Sequence, residues 1–486
     1  MLTRALEKNY IIDNMVVRKI SSFFYSDYYF IALIPFVVLM WGLGQIAAGP
    51  MAVIGISIML LLIAAVVVIQ RDIMPVVPLA LFTMCLMPNP NLPSYIWVVA
   101  IPAVCIVFAA LFHMYYYKID DFKFGKLFFP MVLFLIAILL GGIGSKLPSR
   151  PKGMLLGALL IVIAPLFVYM MAINYVDVDK KPATYIAKTM LYWGFLMCIE
   201  LGIFYVFDIE ILRALGGYNV PHLGWGISNT IATFFLITFP MCFYLFTQIK
   251  GKLSYMYLLI GNIEFGAIIA TTSRGALLFG AVEFIFTIIV TAFVVDRKKR
   301  IGYLIFAAVI LVICAIVLAI SHERIFTFFR YIFQDNLNDS GRFELYREAL
   351  ACFFEYPIFG VGLGYLGKAT NLIDTIGIYM FHDTILQYGA CLGVVGILAI
   401  AYLYFARLEI VFENWSNYSL YILMAFIGFE GYSLLNTGTM QGYPTAIVLI
   451  MVYGAYEIET KQQESIVYKK ILEKIKINKK AIKNIA

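Results

Sequence analysis

Residues 51–69 read MAVIGISIMLLLIAAVVVI, a run without a single charge. As a helix it would rise about 28 Å, close to the thickness of a bilayer's hydrocarbon core. Runs of this kind recur along the chain: hydrophobic residues make up 63% of its 486 positions and charged residues 13%, and the mean hydropathy is +0.90. A soluble protein of that composition would need several domains with almost no charged surface. Long apolar runs separated by small charge clusters are instead what membrane-spanning helices require, because only a helix or a closed barrel satisfies its backbone in lipid.

Candidate spans lie near 28–48, 51–69, 73–87, 96–113, 127–144, 153–173, 185–207, 227–246, 255–270, 275–295, 301–320, 384–405, 418–435 and 443–457. The stretch 73–87 is short and contains Pro75 and Pro78, and 443–457 is also short. The expected fold is therefore an all-α integral membrane protein, a polytopic helical bundle of about 12–14 transmembrane helices. Its expected parts are a cytoplasmic N-terminal segment 1–27, spans within 28–320, one large external helical loop 321–383, C-terminal spans within 384–457, and a basic tail 458–486.

Lysine and arginine set the expected orientation. Starting inside, alternate loops carry Arg4, Lys8, Arg18 and Lys19, then Arg71, Lys118 with Lys123 and Lys126, Lys180 with Lys181, Lys250 with Lys252, Arg297 to Arg300, and Arg407. Both termini are then cytoplasmic in the cell (inner) membrane. The loop 145–152, with Lys146, Arg150 and Lys152, runs against the pattern. Much of the net charge of +7 comes from the tail 461–483, where isoleucines alternate with lysines in the manner of a segment lying on an anionic leaflet. Nothing in that charge calls for a nucleic-acid partner. The N-terminal segment leads into a full-length span rather than a cleavable signal. Six of the seven cysteines fall in or at spans, and Cys352 in the loop, so no disulfide framework or metal spacing is visible.

Two motifs stand out on the expected external side. Thr271-Thr272-Ser273-Arg274-Gly275 and Asn338-Asp339-Ser340-Gly341-Arg342 each put an arginine directly behind helix-capping residues. A helix N-terminus is already electropositive, so a cation there implies an anion to share. The simpler reading of each arginine is a side chain that snorkels to headgroups or pairs with a carboxylate. The loop 321–383 reads as helical: 323–333 is an amphipathic or interfacial helix, and a second begins at Ser340, with Phe343, Tyr346, Leu350 and Phe353 at helical spacing. The glycines of Pro357-Ile358-Phe359-Gly360-Val361-Gly362-Leu363-Gly364 are not a dinucleotide fingerprint, because no strand precedes them. They end a helix and let backbone pass close to another element or a ligand. His382 stands at the entrance to a span beside Asp383, where an imidazole suits proton transfer and an acid could orient it.

In order, Ser273-Arg274-Gly275, Gly341-Arg342, Pro357 with Gly360, Gly362 and Gly364, and His382 before Gly389 and Gly396 resemble the O-antigen ligase and polymerase superfamily. The resemblance covers about 220–400, with Gly224-Trp225-Gly226-Ile227-Ser228-Asn229 similar to the family's earlier stretch. It departs at Asp383, where the family commonly has asparagine. The resemblance implies a metal-independent, cofactor-free glycosyltransferase that takes an oligosaccharide from undecaprenyl diphosphate at the outer face of the membrane and passes it to an acceptor glycan. Arg274 and Arg342 would bind the diphosphate, His382 would act on the acceptor hydroxyl, and Ser273, Gly275 and Asp383 would support them. The expected reaction is polymerisation of O-antigen, capsular or teichuronic-type repeat units, a role found in both envelope types, with a flippase and a chain-length regulator as expected partners; ligation to lipid A core is the alternative. A lipid-linked oligosaccharide flippase is the rival from another class; it would place charges along a central cavity and show two related halves. A polyprenyl-phosphate glycosyltransferase would need an acid in the first external loop, and Ala48-Gly49-Pro50 has none. Asp177-Val178-Asp179 falls among cytoplasmic charges and reads as loop charge rather than a metal motif.

Overall fold

The computed structural model describes residues 15–46, 50–87, 96–119, 121–207, 221–334, 341–368, 378–436 and 445–460. The described residues are helical, with isolated backbone bridges (Ser149 with Tyr365, His222 with Ile227) and no strand. In chain order the helices are α1 (Met15–Phe24), α2 (Asp27–Ile46), α3 (Pro50–Ile69), α4 (Val76–Met84), α5 (Ala100–Tyr116), α6 (Phe128–Leu140), α7 (Pro151–Tyr175), α8 (Pro182–Phe207), α9 (Ser228–Gln248), α10 (Ser254–Ala270), α11 (Arg274–Val294), α12 (Arg297–Gln334), α13 (Arg342–Glu355), α14 (Thr384–Glu413), α15 (Asn417–Ser433) and α16 (445–460). Among the described residues eight helices are long and apolar enough to cross a membrane, and α6 and α10 are shorter apolar helices. The chain is an integral membrane protein built as a polytopic helical bundle.

Helix α9 is the axis of the bundle. Of its span 89% is buried, and it packs on α8, α10, α11 and α15, as expected of a helix surrounded by other helices. Helix α14 packs on α6 and on the amphipathic α13. Buried carboxylates tie neighbours together: Glu200 accepts from Trp225 Nε1 at 2.7 Å, Glu264 from Thr238 Oγ1 at 2.6 Å, and Glu430 from Arg407 at 2.9 Å. Arg407 therefore lies inside α14, only 5% exposed, rather than in a loop, and it is removed from the residues that set orientation.

Two segments differ from the sequence expectation. The polar residues His322-Glu323-Arg324 do not end the preceding helix, because no proline or glycine follows Gly302 before Gln334; α12 runs unbroken for 38 residues, and the helix expected at 323–333 is its continuation. At roughly 57 Å it is far longer than the hydrocarbon core. In 73–87 the helix has only nine residues, Val76–Met84, beginning behind Pro75, too short to cross by itself at about 14 Å. Residues 1–14, 335–340, 369–377 and the lysine-rich tail 461–486 lie outside the described residues.

Candidate functional site

Three helices begin at the motifs singled out above, and their starts are built differently. Helix α11 follows a tight elbow at the end of α10: Thr271 Oγ1 turns back to Ile268 O at 2.7 Å, Thr272 takes a left-handed backbone with φ 62°, and Ser273 becomes the N-cap. A β-branched residue in that conformation is strained and persists only where its surroundings hold it. Ser228 supplies the hold by donating to Thr271 O. Ser273 makes no capping bond to its own helix; its hydroxyl donates to Asn229 Oδ1 at 2.8 Å and meets the Tyr432 hydroxyl at 3.1 Å. Helix α13 follows Gly341, φ 77°, which has no side chain to cap with. Helices α11 and α13, which open on Arg274 and Arg342, thus lack a cap from the N-cap side chain. Helix α14 is capped, by Asp383, whose Oδ1 accepts from Leu386 N at 2.7 Å.

His382 precedes that cap with a left-handed backbone, φ 57°. Its ring Nδ1 lies 3.2 Å from Asn436 Oδ1, and Asn436 Nδ2 donates to the Tyr432 hydroxyl at 2.9 Å. A single directed chain follows from the donor and acceptor inventory. Ser273 donates to Asn229, so Tyr432 donates to Ser273, Asn436 donates to Tyr432, and His382 Nδ1–H donates to Asn436. That assignment leaves Nε2 of His382 as the ring's proton acceptor. Tyr432 and Asn436 are fully buried, whereas Arg274 is exposed and Arg342 and His382 are half-buried. Gly275 allows the approach, since a Cβ there would stand 2.9 Å from the Tyr432 ring.

The charge of Arg342 reaches both His382 and Tyr432. Burial first, and then the Arg342 charge, lower the pKa of His382 below the ordinary histidine value, opposed by the Asn436 hydrogen bond. Burial raises the pKa of Asp383, opposed by the N–H groups of Leu386 and Ile385. The described partner that orients the His382 ring is Asn436, not Asp383, whose carboxylate is engaged at the helix end. The departure from asparagine at this position is thereby explained, because aspartate and asparagine are near-equal N-caps.

Further contacts fix the loop that delivers His382. Gln387 is buried; its Oε1 accepts from Phe381 N at 2.8 Å and its Nε2 donates to Tyr379 O at 2.8 Å. Glu348 of α13 accepts from the Tyr365 and Tyr379 hydroxyls at 2.8 and 3.0 Å, which couples Arg342's helix to His382's loop. The glycine stretch packs closely on another element of the chain. Helix α14 breaks at Gly393, and the freed carbonyls of Ala390 and Cys391 accept from Val361 N and Gly362 N at 2.9 and 2.7 Å. In return Val394 N donates to Pro357 O at 2.8 Å. The stretch 224–229 has a positioning part as well: Trp225 anchors it on Glu200, and it presents Ser228 and Asn229 to the Arg274 elbow.

Tyr432, Asn436, Gln387 and Glu348 were not singled out in the sequence. The signal was slight: Tyr432 and Asn436 stand four residues apart at the end of an apolar run, one helical turn on the side where His382 enters. Compared with known proteins, residues 255–401 match a family model described as O-antigen ligase. No curated protein matches the chain.

Proposed function

From the match of residues 255–401 to a family model described as O-antigen ligase, we propose that the chain is a member of the O-antigen ligase and polymerase superfamily and polymerises undecaprenyl-diphosphate-linked oligosaccharide repeat units at the outer face of the cytoplasmic membrane. The observation that carries this reading is the directed chain from the Ser273–Arg274 elbow to His382, with the charge of Arg342 on the same cluster. Arg274 and Arg342, each at the start of a helix without a cap from its N-cap side chain, take the diphosphate; forked guanidiniums at electropositive helix starts suit its oxygens. The acceptor hydroxyl attacks the anomeric carbon, the bond from that carbon to the diphosphate oxygen breaks, and the hydroxyl proton passes to Nε2 of His382. The leaving diphosphate gains negative charge as this happens, and two cations stabilise that charge most where it is greatest. No step requires a metal ion.

The acceptor on this reading is a second lipid-linked repeat unit. Purified protein given only the lipid-linked donor should form polymer and release undecaprenyl diphosphate, with EDTA leaving the rate unchanged. Product that forms only when lipid A core is supplied would make the protein a ligase. Loss of activity in EDTA that magnesium restores would overturn the metal-free step. The proposed orientation has its own check: in intact cells an impermeant thiol reagent should label a cysteine placed at Lys146 and spare one placed at Lys298, and the reverse pattern would put the site on the cytoplasmic side.

A further inference from the structure

At the far end of α7 from the candidate site lies a cavity of about 550 Å³, lined by Arg71, Asp72, Lys123, Asn174, Tyr175 and Asp177 among others. The first turn of α7 is tied to the site's side of the molecule through Arg150 N, which donates to Gly364 O at 2.7 Å. The helix runs 25 residues from there to Tyr175, about 37 Å, so the cavity sits at the opposite membrane face. Its walls are built before anything binds. Asn174 clamps the backbone of Lys123 from both sides, accepting from its N at 2.8 Å and donating to its O at 3.0 Å. Asp72 is held by the Tyr25 hydroxyl and by Met74 N, and Asp177 accepts from Asp179 N at 3.1 Å.

A second cavity, of about 380 Å³, adjoins it and shares Tyr175 as a wall; the rest of its lining is Met114, Ile119, Phe122, Phe167, Met170 and Met171. It is an apolar crevice between the ends of α5 and α7. Phe122 and Phe167 are 57% and 46% exposed, toward what is lipid in a membrane. A polar chamber carrying both signs of charge, opening into an apolar crevice at a membrane face, has the form of an amphiphile site.

We propose that this face binds a phospholipid whose head group carries both a phosphate and a primary ammonium. The phosphate meets Arg71 and Lys123, the ammonium meets Asp177 and Asp72, and one acyl chain lies in the crevice. A soluble zwitterion would fill the chamber but has no use for the crevice, and a purely anionic lipid would leave two carboxylates facing its phosphate. This assignment does not rest on the transferase reading.

The test is lipid retention by the purified full chain, delipidated and then titrated with phosphatidylethanolamine or phosphatidylglycerol and read by native mass spectrometry. The wild type should retain one phosphatidylethanolamine in preference to phosphatidylglycerol. Arg71→Ala with Lys123→Ala should weaken that retention by about tenfold or more, the scale of losing charge-assisted hydrogen bonds. Asp177→Asn should weaken phosphatidylethanolamine and leave phosphatidylglycerol unchanged. Phe167→Ala, in the crevice and outside the lining of the polar chamber, should also lose lipid. Equal retention of both lipids by the wild type, retention unaltered in the charge variants, or competition by free O-phosphoethanolamine as strong as by the lipid would overturn the proposal.

Discussion

His382 carries a φ of 57°, a conformation that costs a non-glycine residue on the order of 1–2 kcal/mol and is kept where the surroundings over-determine it. Gln387 and Asp383 hold the backbone on either side of it, and Asn436 holds the ring. The environment also sets its proton affinity. Burial and the Arg342 charge lower its pKa, and the Asn436 hydrogen bond raises it. A base must be neutral to work, so activity should fall as pH drops through that lowered pKa. In Arg342→Ala the residual activity should lose its acid limb at higher pH than the wild type, because a lowering cause is gone. In Asn436→Ala the limb should move to lower pH, with a rate reduced roughly tenfold or more by the freed tautomer and ring. Rate against pH for the three proteins checks this, and superimposable limbs would contradict it. Arg274, Arg342 and His382 stand out in the sequence because cations at helix starts and a histidine at a span entrance are locally anomalous. Asn436 was not legible, since it lies 54 residues beyond His382 and only the fold brings them together. Asp383, an acid the sequence offers for orienting the ring, caps α14 through Leu386 N, because adjacency in sequence is not adjacency of side chains.

At the scale of elements, α14 decides the shape of the site. Gly393 takes φ 65° and ψ −157° inside it, a region open essentially to glycine, and a Cβ there would stand 2.3 Å from Ile358 O. The break frees backbone groups that the 357–362 stretch then satisfies, so the helix and the loop are one hydrogen-bonded unit. Gly393→Ala should therefore destabilise the protein by about 3 kcal/mol or more, from a forbidden backbone region and a clash together. Gly389→Ala, where the nearest atom to a new Cβ is a side-chain carbon at 3.4 Å, should be nearly silent. Thermal unfolding of the two variants in one detergent would decide it, and equal melting temperatures would remove the glycine argument. The two glycines read alike in the sequence, each a small residue in an apolar run, and only the neighbour's backbone tells them apart. The same limit explains α12: charge marks where a helix leaves lipid, not where it ends.

Across the whole molecule, the composition and the repeated apolar runs were enough to read an all-α membrane bundle, because lipid leaves a chain few other solutions. The internal ties were hidden. Carboxylates such as Glu264 and Glu430 lie in spans that look uniformly apolar, each joined to a neighbouring helix, and these bonds set which helices touch. Through that packing α9, α11, α14 and α15 bring Asn229, Ser273, Tyr432, Asn436 and His382 into one chain of contacts at one end of the bundle. On the proposed function this end of the bundle is a single site, where two arginines hold a leaving diphosphate and His382 takes the acceptor's proton. That reading is tested most directly by single-turnover transfer from a lipid-diphosphate-linked donor with purified Arg274→Ala, Arg342→Ala and His382→Ala proteins, each first shown to melt like the wild type. Each should be slower by roughly 10²-fold or more, the usual scale for losing a charge-stabilising or acid–base group, and Arg342→Lys should not restore the rate, since a point charge does not replace a fork. Folded arginine variants that transfer at the wild-type rate would show both guanidiniums to be interfacial anchors and would contradict the account.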